Sequence, residues 1–230
     1  MLYRGSLVRQ KGAGPVAFRT FMKGNMITDP DLQREIIERV KEAELPDSPD
    51  CLAHNLGKLE VPDGTTRTLF VRHAVDALLT DPDENIVLIT RRYPPGAGKL
   101  AIPGGFMDEA QGQVEEAEAA ARRELGEETG IEQQLIEGAE LQGIGWRRYD
   151  RPFDLRAAWN DLPETGIRQG DIFMVSTQPV YLRTEADLLQ VRLAPADDAT
   201  AARVMSAGAI TEGTLGIPDQ LGMIREIPKG

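Results

Sequence analysis

The chain has 230 residues, 41% of them hydrophobic, and a formal net charge of -11. That length suits one domain with an appendage, and the apolar fraction supports a packed core, which excludes global disorder. The acidity excludes broad attraction to nucleic acid or to an anionic membrane, so an anionic substrate would need local basic residues or a bound cation.

Residues 1–28 read as mixed and turn-rich. Their start lacks the continuous apolar stretch of a signal peptide, and no run of eighteen apolar residues follows. The expectation is a soluble cytoplasmic protein. Asp29–Leu45 predicts a helix. It opens on Asp-Pro and places Leu32, Ile36, Ile37 and Val40 on roughly one face. The run "PDSPD" then reads as a linker, so residues 1–60 are assigned to an N-terminal extension and 61–230 to the main domain. In that domain "TRTLFVRHAVDALLTD" and "ENIVLITRRY" are strand-like, with a turn at "DPDEN". A loop around a short strand follows, then a helix over Val114–Thr129. "AELQGIGWRRYD" and "GDIFMVSTQPVYL" return to strands. "DDATAARVMS" fits a helix or a strand edge, and "PDQLGMIREI" a short terminal helix. The pattern is α/β, a mixed sheet sandwiched by helices.

The central helix carries the chemistry. Glu124, Glu127 and Glu128 stand at i, i+3 and i+4, which gathers them within about 100° of the helix surface. A solvated acidic face would look the same. The context favours a metal site: an apolar strand upstream ends in Pro103-Gly104-Gly105, where paired glycines permit close backbone approach, and Gly130 suits a helix C-cap. Carboxylate oxygens suit Mg²⁺ or Mn²⁺.

The stretch from Gly105 to Ile131 resembles the Nudix box, G-x5-E-x7-R-E-U-x-E-E-x-G-U with U apolar. Glu115, Arg123, Glu124, Leu125, Glu127, Glu128, Gly130 and Ile131 match its second half at every defined position. The first half departs: nine residues separate Gly105 from Glu115 where the pattern has five, so Glu109 competes with Glu115 for the first-glutamate role. The resemblance implies a Nudix α/β/α sandwich. It implies that Glu124, Glu127, Glu128 and the Gly105 carbonyl bind Mg²⁺, with Glu115 counted among the metal residues at the margin of the site, and it gives catalytic roles to Glu124 and to Arg123, which orients a glutamate.

Flanking segments are similar to those of the ADP-ribose pyrophosphatase subgroup. "RRYPPGAGKLAIPGGF" offers Arg91 and Arg92 as phosphate ligands or as a solvated strand end. "WRRYDRPFDLRAAW" groups aromatics with arginines and is similar to a D-x-P-x-D-x-R loop, which brings forward Asp154 and Arg156. A base is sought among Glu164, Asp171, Glu185 and Asp197, with Glu164 preferred. The implied activity is Mg²⁺-dependent hydrolysis of a nucleoside diphosphate linked to X, with ADP-ribose foremost. NADH, a dinucleoside polyphosphate or a nucleotide sugar are alternatives, as is a non-catalytic ADP-ribose sensor. The implied partner is a small-molecule nucleotide, with no nucleic acid and no membrane, and the resemblance also suggests a homodimer.

The remaining titratable groups suggest no chemistry. His73 reads as a structural histidine on a strand, and His54 shows no partner. Cys51 is the single cysteine; it cannot form an internal disulfide, nothing basic flanks it, and no Cys/His cluster supports zinc.

Overall fold

A computed structural model describes residues 27–46, 49–93, 96–110, 113–154, 165–195 and 199–229. Helix α1 (Pro30–Glu42) forms as its sequence predicts. The Asp29 carboxylate accepts from the backbone N–H of Asp31 at 3.0 Å and of Leu32 at 2.9 Å, and Pro30 needs no donor in the first turn. It ends earlier than Leu45, before Glu44 turns into left-handed backbone at φ 45°.

Strand β1 (Ala53–Glu60) pairs antiparallel with the long β2 (Thr66–Thr80). A tight turn leads to β3 (Asn85–Arg91), and the Asp81 carboxylate organises it by accepting from the backbone N–H groups of Asp83, Asn85 and Leu188. The short β4 (Leu100–Ala101) pairs with β3, and β5 (Gly104–Phe106) pairs with β2. A separate hairpin follows, β6 (Glu109–Ala110) with β7 (Gln113–Val114). Helix α2 (Ala117–Thr129) and the short α3 (Gln133–Gly138) lead to β8 (Glu140–Ile144) and β9 (Arg148–Asp154). Both of these pair with β10 (Ile172–Arg183), which lies parallel to β2 from Leu69 to Thr80. β11 (Ala199–Ser206) closes the edge beside β3, and α4 (Gln220–Arg225) is the last described helix. The spine of the sheet runs β11-β3-β2-β10-β8. One expectation shifts: α2 starts at Ala117 because Val114 belongs to the hairpin. Of the two readings of "DDATAARVMS", the strand at a sheet edge is the one found.

Side chains alternate across a strand, so one face of the β2–β10 pair carries the odd residues of β2 and the even residues of β10. At one end Leu69, Val71, Ile172 and Met174 pack under Leu32, Ile36 and Val40 of α1. At the other, Val75, Ala77, Leu79, Val180 and Leu182 pack under Ala117, Ala120, Ala121 and Leu125 of α2. Between these two apolar ends the same face carries buried His73, Ser176 and Gln178. The opposite face packs Leu78 and Tyr181 against Met223 and Ile224 of α4. The result is a mixed sheet between helical layers. No described helix is long and apolar enough to cross a membrane.

Candidate active site

Helix α2 buries Ala121 and Leu125, and this orientation turns Glu124 and Glu128 toward β5. Gly104 donates its backbone N–H to Glu128 Oε2 at 2.8 Å, and the Glu128 side chain is buried. The Glu124 carboxylate lies against the backbone of Gly105, where a Cβ would stand 2.6 Å from its carboxyl carbon. Both glycines are therefore required by close approach. Gly130 ends the helix at φ 67°, with its N–H bonded to the Gly126 carbonyl at 3.0 Å.

Arg123 is the hub. Its Nη1 donates to Glu124 Oε1 at 2.6 Å and to Glu127 Oε2 at 3.1 Å. Its Nη2 donates to Glu115 Oε1 at 2.5 Å and to the Phe106 carbonyl at 3.0 Å, and its Nε to Glu115 Oε2 at 3.2 Å. One planar guanidinium thus ties the helix to the strand and to the loop before it. Burial alone would lower the Arg123 pKa, but the hydrogen bond to Glu115 and the charge of Glu124 leave it raised. Burial pushes the Glu124 carboxyl up to about 7; Glu127 and Asp108 add to the rise, and Arg123 offsets part of it.

The extra residues between Gly105 and Glu115 are absorbed by the β6–β7 hairpin. The hairpin closes where Glu115 donates its N–H to the Asp108 carbonyl at 2.9 Å and Asp108 donates its N–H to Glu115 Oε1 at 2.7 Å. This brings Glu115 onto Arg123, while Glu109 pairs with Val114 in the hairpin.

The group fits a hard divalent cation by its chemistry: anionic oxygens on one helix, and a glycine backbone with no Cβ to bar approach. In the structure Glu124 and Glu127 turn onto Arg123 and Glu128 onto Gly104, so positive charge already sits among the first two.

Other expected residues lie elsewhere. Arg92 donates to the Ala199 carbonyl at 3.0 Å on the β3–β11 edge, and Arg91 is the last residue of β3. Asp154 ends β9 opposite Ile172. Asp171 accepts from the Arg168 N–H at 2.8 Å and shapes a turn, and Glu185 is exposed. Glu164, Arg156 and Asp197 lie outside the described residues. In the arginine-aromatic segment, Arg148 pairs with Glu226 at 2.7 Å, and Arg147 Nη1 donates to His73 Nδ1 at 2.8 Å. Trp146 is 88% exposed. His54, which shows no partner in sequence, meets the His73 ring edge-on at 4.9 Å and the Cys51 sulfur at 3.5 Å. Asp108, which closes the hairpin, escapes sequence reasoning because it falls inside the irregular spacing.

The arrangement is thus an α/β sheet that sets an acidic helix against a Gly-Gly strand, with an arginine tying the carboxylates together. The NUDIX domain profile matches residues 71–207, and the chain belongs to the Nudix family. No curated protein matches the chain. Among solved structures, it is similar to a bifunctional NMN adenylyltransferase/ADP ribose pyrophosphatase from Francisella tularensis, complexed with AMP and Mn ion. The identity is 22% and the TM-score 0.42, covering 84% of this chain and 45% of that one. This chain thus spans less than half the length of that protein. It is also similar to the NUDIX domain of Shewanella oneidensis NrtR complexed with ADP ribose, at 18% identity and TM-score 0.40, covering 66% and 83%. A NUDIX hydrolase from Nitrosomonas europaea aligns at 16% identity and TM-score 0.40, covering 74% and 86%.

Proposed function

We propose that the protein is a Mg²⁺-dependent pyrophosphohydrolase that cleaves ADP-ribose to AMP and ribose 5-phosphate. The observation that carries the reaction is the convergence of Glu115, Glu124 and Glu127 on Arg123, with Glu128 locked to Gly104. The choice of ADP-ribose rests on the sequence of the flanking segments, "YDRPFDLR" above all.

In this reading Glu124, Glu127, Glu128 and the Gly105 carbonyl hold the cation, and Mn²⁺ serves in place of Mg²⁺. When bound, divalent cations neutralise the diphosphate and lower the pKa of water toward neutrality. Arg123 fixes the carboxylates before substrate arrives, which removes a reorganisation cost from the reaction. Glu115 is a positioning residue, because it holds the guanidinium from the far side. The Gly104 N–H fixes the Glu128 rotamer. Arg91, Arg92, Asp154 and Arg156 are assigned to substrate and Glu164 to the base. Residues 1–60 are assigned to an extension of the catalytic domain.

Incubation with ADP-ribose and Mg²⁺, with AMP followed by chromatography, tests the substrate against NADH, a dinucleoside polyphosphate and a nucleotide sugar. The highest kcat/KM is expected for ADP-ribose. Another substrate at the top of that panel replaces the substrate and leaves the reaction class. Tight ADP-ribose binding without AMP release turns the enzyme into a sensor.

A further inference from the structure

We propose that Asp50, Cys51 and His54 form a second cation site, separate from the glutamate helix and suited to Zn²⁺. Among the described residues these three each bring one donor atom, a carboxylate oxygen, a thiol sulfur and an imidazole nitrogen, all within 4.8 Å of one another. The Cys51 sulfur lies 3.5 Å from His54 Nδ1 and 3.8 Å from its Nε2. A tetrahedral Zn²⁺ with ordinary bond lengths to sulfur and nitrogen separates those two ligands by about 3.6 Å. Cys51 and His54 therefore already stand at the separation that the ion imposes, with the Asp50 carboxylate within 4.8 Å of both.

The strand that carries His54 is fixed by pairing. Ala53 and His54 pair with Arg72 and Val71 of β2, and the Cys51 sulfur lies 3.4 Å from the Ala53 carbonyl. Next to this group sits His73, 1% exposed, with its ring edge-on to His54. Arginine can only donate, so the Arg147 contact makes His73 Nδ1 the acceptor and leaves the proton on Nε2. That Nε2 is buried and has no hydrogen-bond partner among the described residues. A buried donor without an acceptor is costly, and solvent held by a cation at the neighbouring cluster would supply one. Three protein ligands with an open fourth position leave room for that solvent.

The donor set also decides which cation enters. Thiolate and imidazole suit Zn²⁺ and its first-row relatives, whereas Mg²⁺ takes oxygen ligands. Binding displaces one proton from the Cys51 thiol to the buffer, and the thiolate and the Asp50 carboxylate then balance the two charges of the ion. The site joins the chain between α1 and β1 to the sheet, in the polar gap between the two apolar ends of the β2–β10 face.

The test uses the whole chain, stripped with chelator and titrated with Co²⁺. Because Cys51 is the single cysteine, a thiolate-to-cobalt charge-transfer band has one possible source. The expected result is a band that saturates at one equivalent per chain, is displaced by Zn²⁺, and persists in the Glu127→Gln/Glu128→Gln double variant. Cys51→Ser should abolish the band, and His54→Ala should weaken the affinity at least about tenfold. Absence of the band in the folded wild-type chain overturns the proposal, as does unchanged affinity in His54→Ala. Retention of the far-ultraviolet spectrum in each variant separates loss of the site from loss of the fold.

Discussion

Gly105→Ala separates the architecture of the glutamate site from its chemistry. The new Cβ would stand 2.6 Å from the Glu124 carboxyl carbon. Carbon atoms pack at about 3.5 Å or more, so the carboxylate must retreat by about 1 Å. The oxygen nearest the new Cβ, Oε1, is also the one that Arg123 holds at 2.6 Å, so the retreat disturbs the guanidinium that carries Glu115 and Glu127. A misplacement of about 1 Å at a reacting centre costs about 100-fold in rate. The cost in stability is smaller, about 1 kcal/mol, because the group that moves is the end of a side chain. Gly104→Ala should behave in the opposite way. Its Cβ would overlap the Val75 carbonyl and stand 3.0 Å from the Asp76 Cα, both backbone atoms of β2, so the sheet itself must part. Steady-state AMP release across a Mg²⁺ titration, with urea unfolding of the same samples, measures both quantities. Gly105→Ala should lose about two decades of kcat with an unfolding midpoint near wild type, and Gly104→Ala should lose about 3 kcal/mol of stability. A Gly105→Ala enzyme within about threefold of wild-type kcat refutes the placement of Glu124 against this backbone.

Arg123→Lys keeps the charge but loses the planar fork that reaches Glu115, Glu124, Glu127 and the Phe106 carbonyl, so kcat should fall at least about tenfold with folding intact. Glu128→Gln retains an oxygen for the Gly104 N–H, so thermal stability should hold while turnover drops by about three decades or more, read from AMP release at saturating Mg²⁺. Deleting residues 110–113 restores the five-residue spacing of the box; because Asp108 and Glu115 already bond to each other, activity should stay within about fivefold of wild type. Burial raises the Asp81 carboxyl, but hydrogen bonds from Asn85, Leu188 and Asp83 outweigh it and hold the group below its usual 3.8. Its contribution to stability is therefore complete above about pH 4 and is lost as pH falls through the folded value. Asp81→Ala should cost about 2 kcal/mol at neutral pH and flatten the acid limb of urea melts taken from pH 5 to pH 3.

The helical face, the Gly-Gly approach and the Gly130 cap were legible because each is a local rule: period, steric freedom and left-handed backbone. The meeting of Glu115 with Arg123 was half legible. The spacing named both residues, but the choice between Glu115 and Glu109 depended on a hairpin whose strands are two residues each, too short to show a period. The placement of His54 against His73 was not legible, since it requires β1 to pair with β2 in one register, a contact between residues far apart in sequence. The arginines of the "WRRYD" run show the converse. Composition made them look like ligand contacts, yet Arg147 and Arg148 reach His73 and Glu226, partners that only the sheet and the terminal helix bring near.

Charge balance at the glutamate site sets a requirement that goes beyond catalysis. Glu115, Glu124 and Glu127 stand against one guanidinium with Glu128 close by, an excess of two to three negative charges, since burial raises the Glu124 carboxyl to about 7, in a chain that already carries a net charge of -11. A diphosphate entering this field meets like charge. At about 5 Å and an effective dielectric of about 20, each carboxylate–phosphate pair opposes approach by about 3 kcal/mol. Several such pairs exceed what adenine stacking or one arginine returns, so under the proposed reaction divalent cations are expected to serve substrate binding as well as turnover. Affinity for a non-hydrolysable methylene analogue of ADP-ribose, measured by calorimetry, should therefore fall by at least about 100-fold when chelator replaces Mg²⁺, and fall less in Glu127→Gln, where one repulsive charge is gone. Equal affinity with and without the cation would mean that the diphosphate lies away from these carboxylates, and the site would have to be sought elsewhere on the sheet.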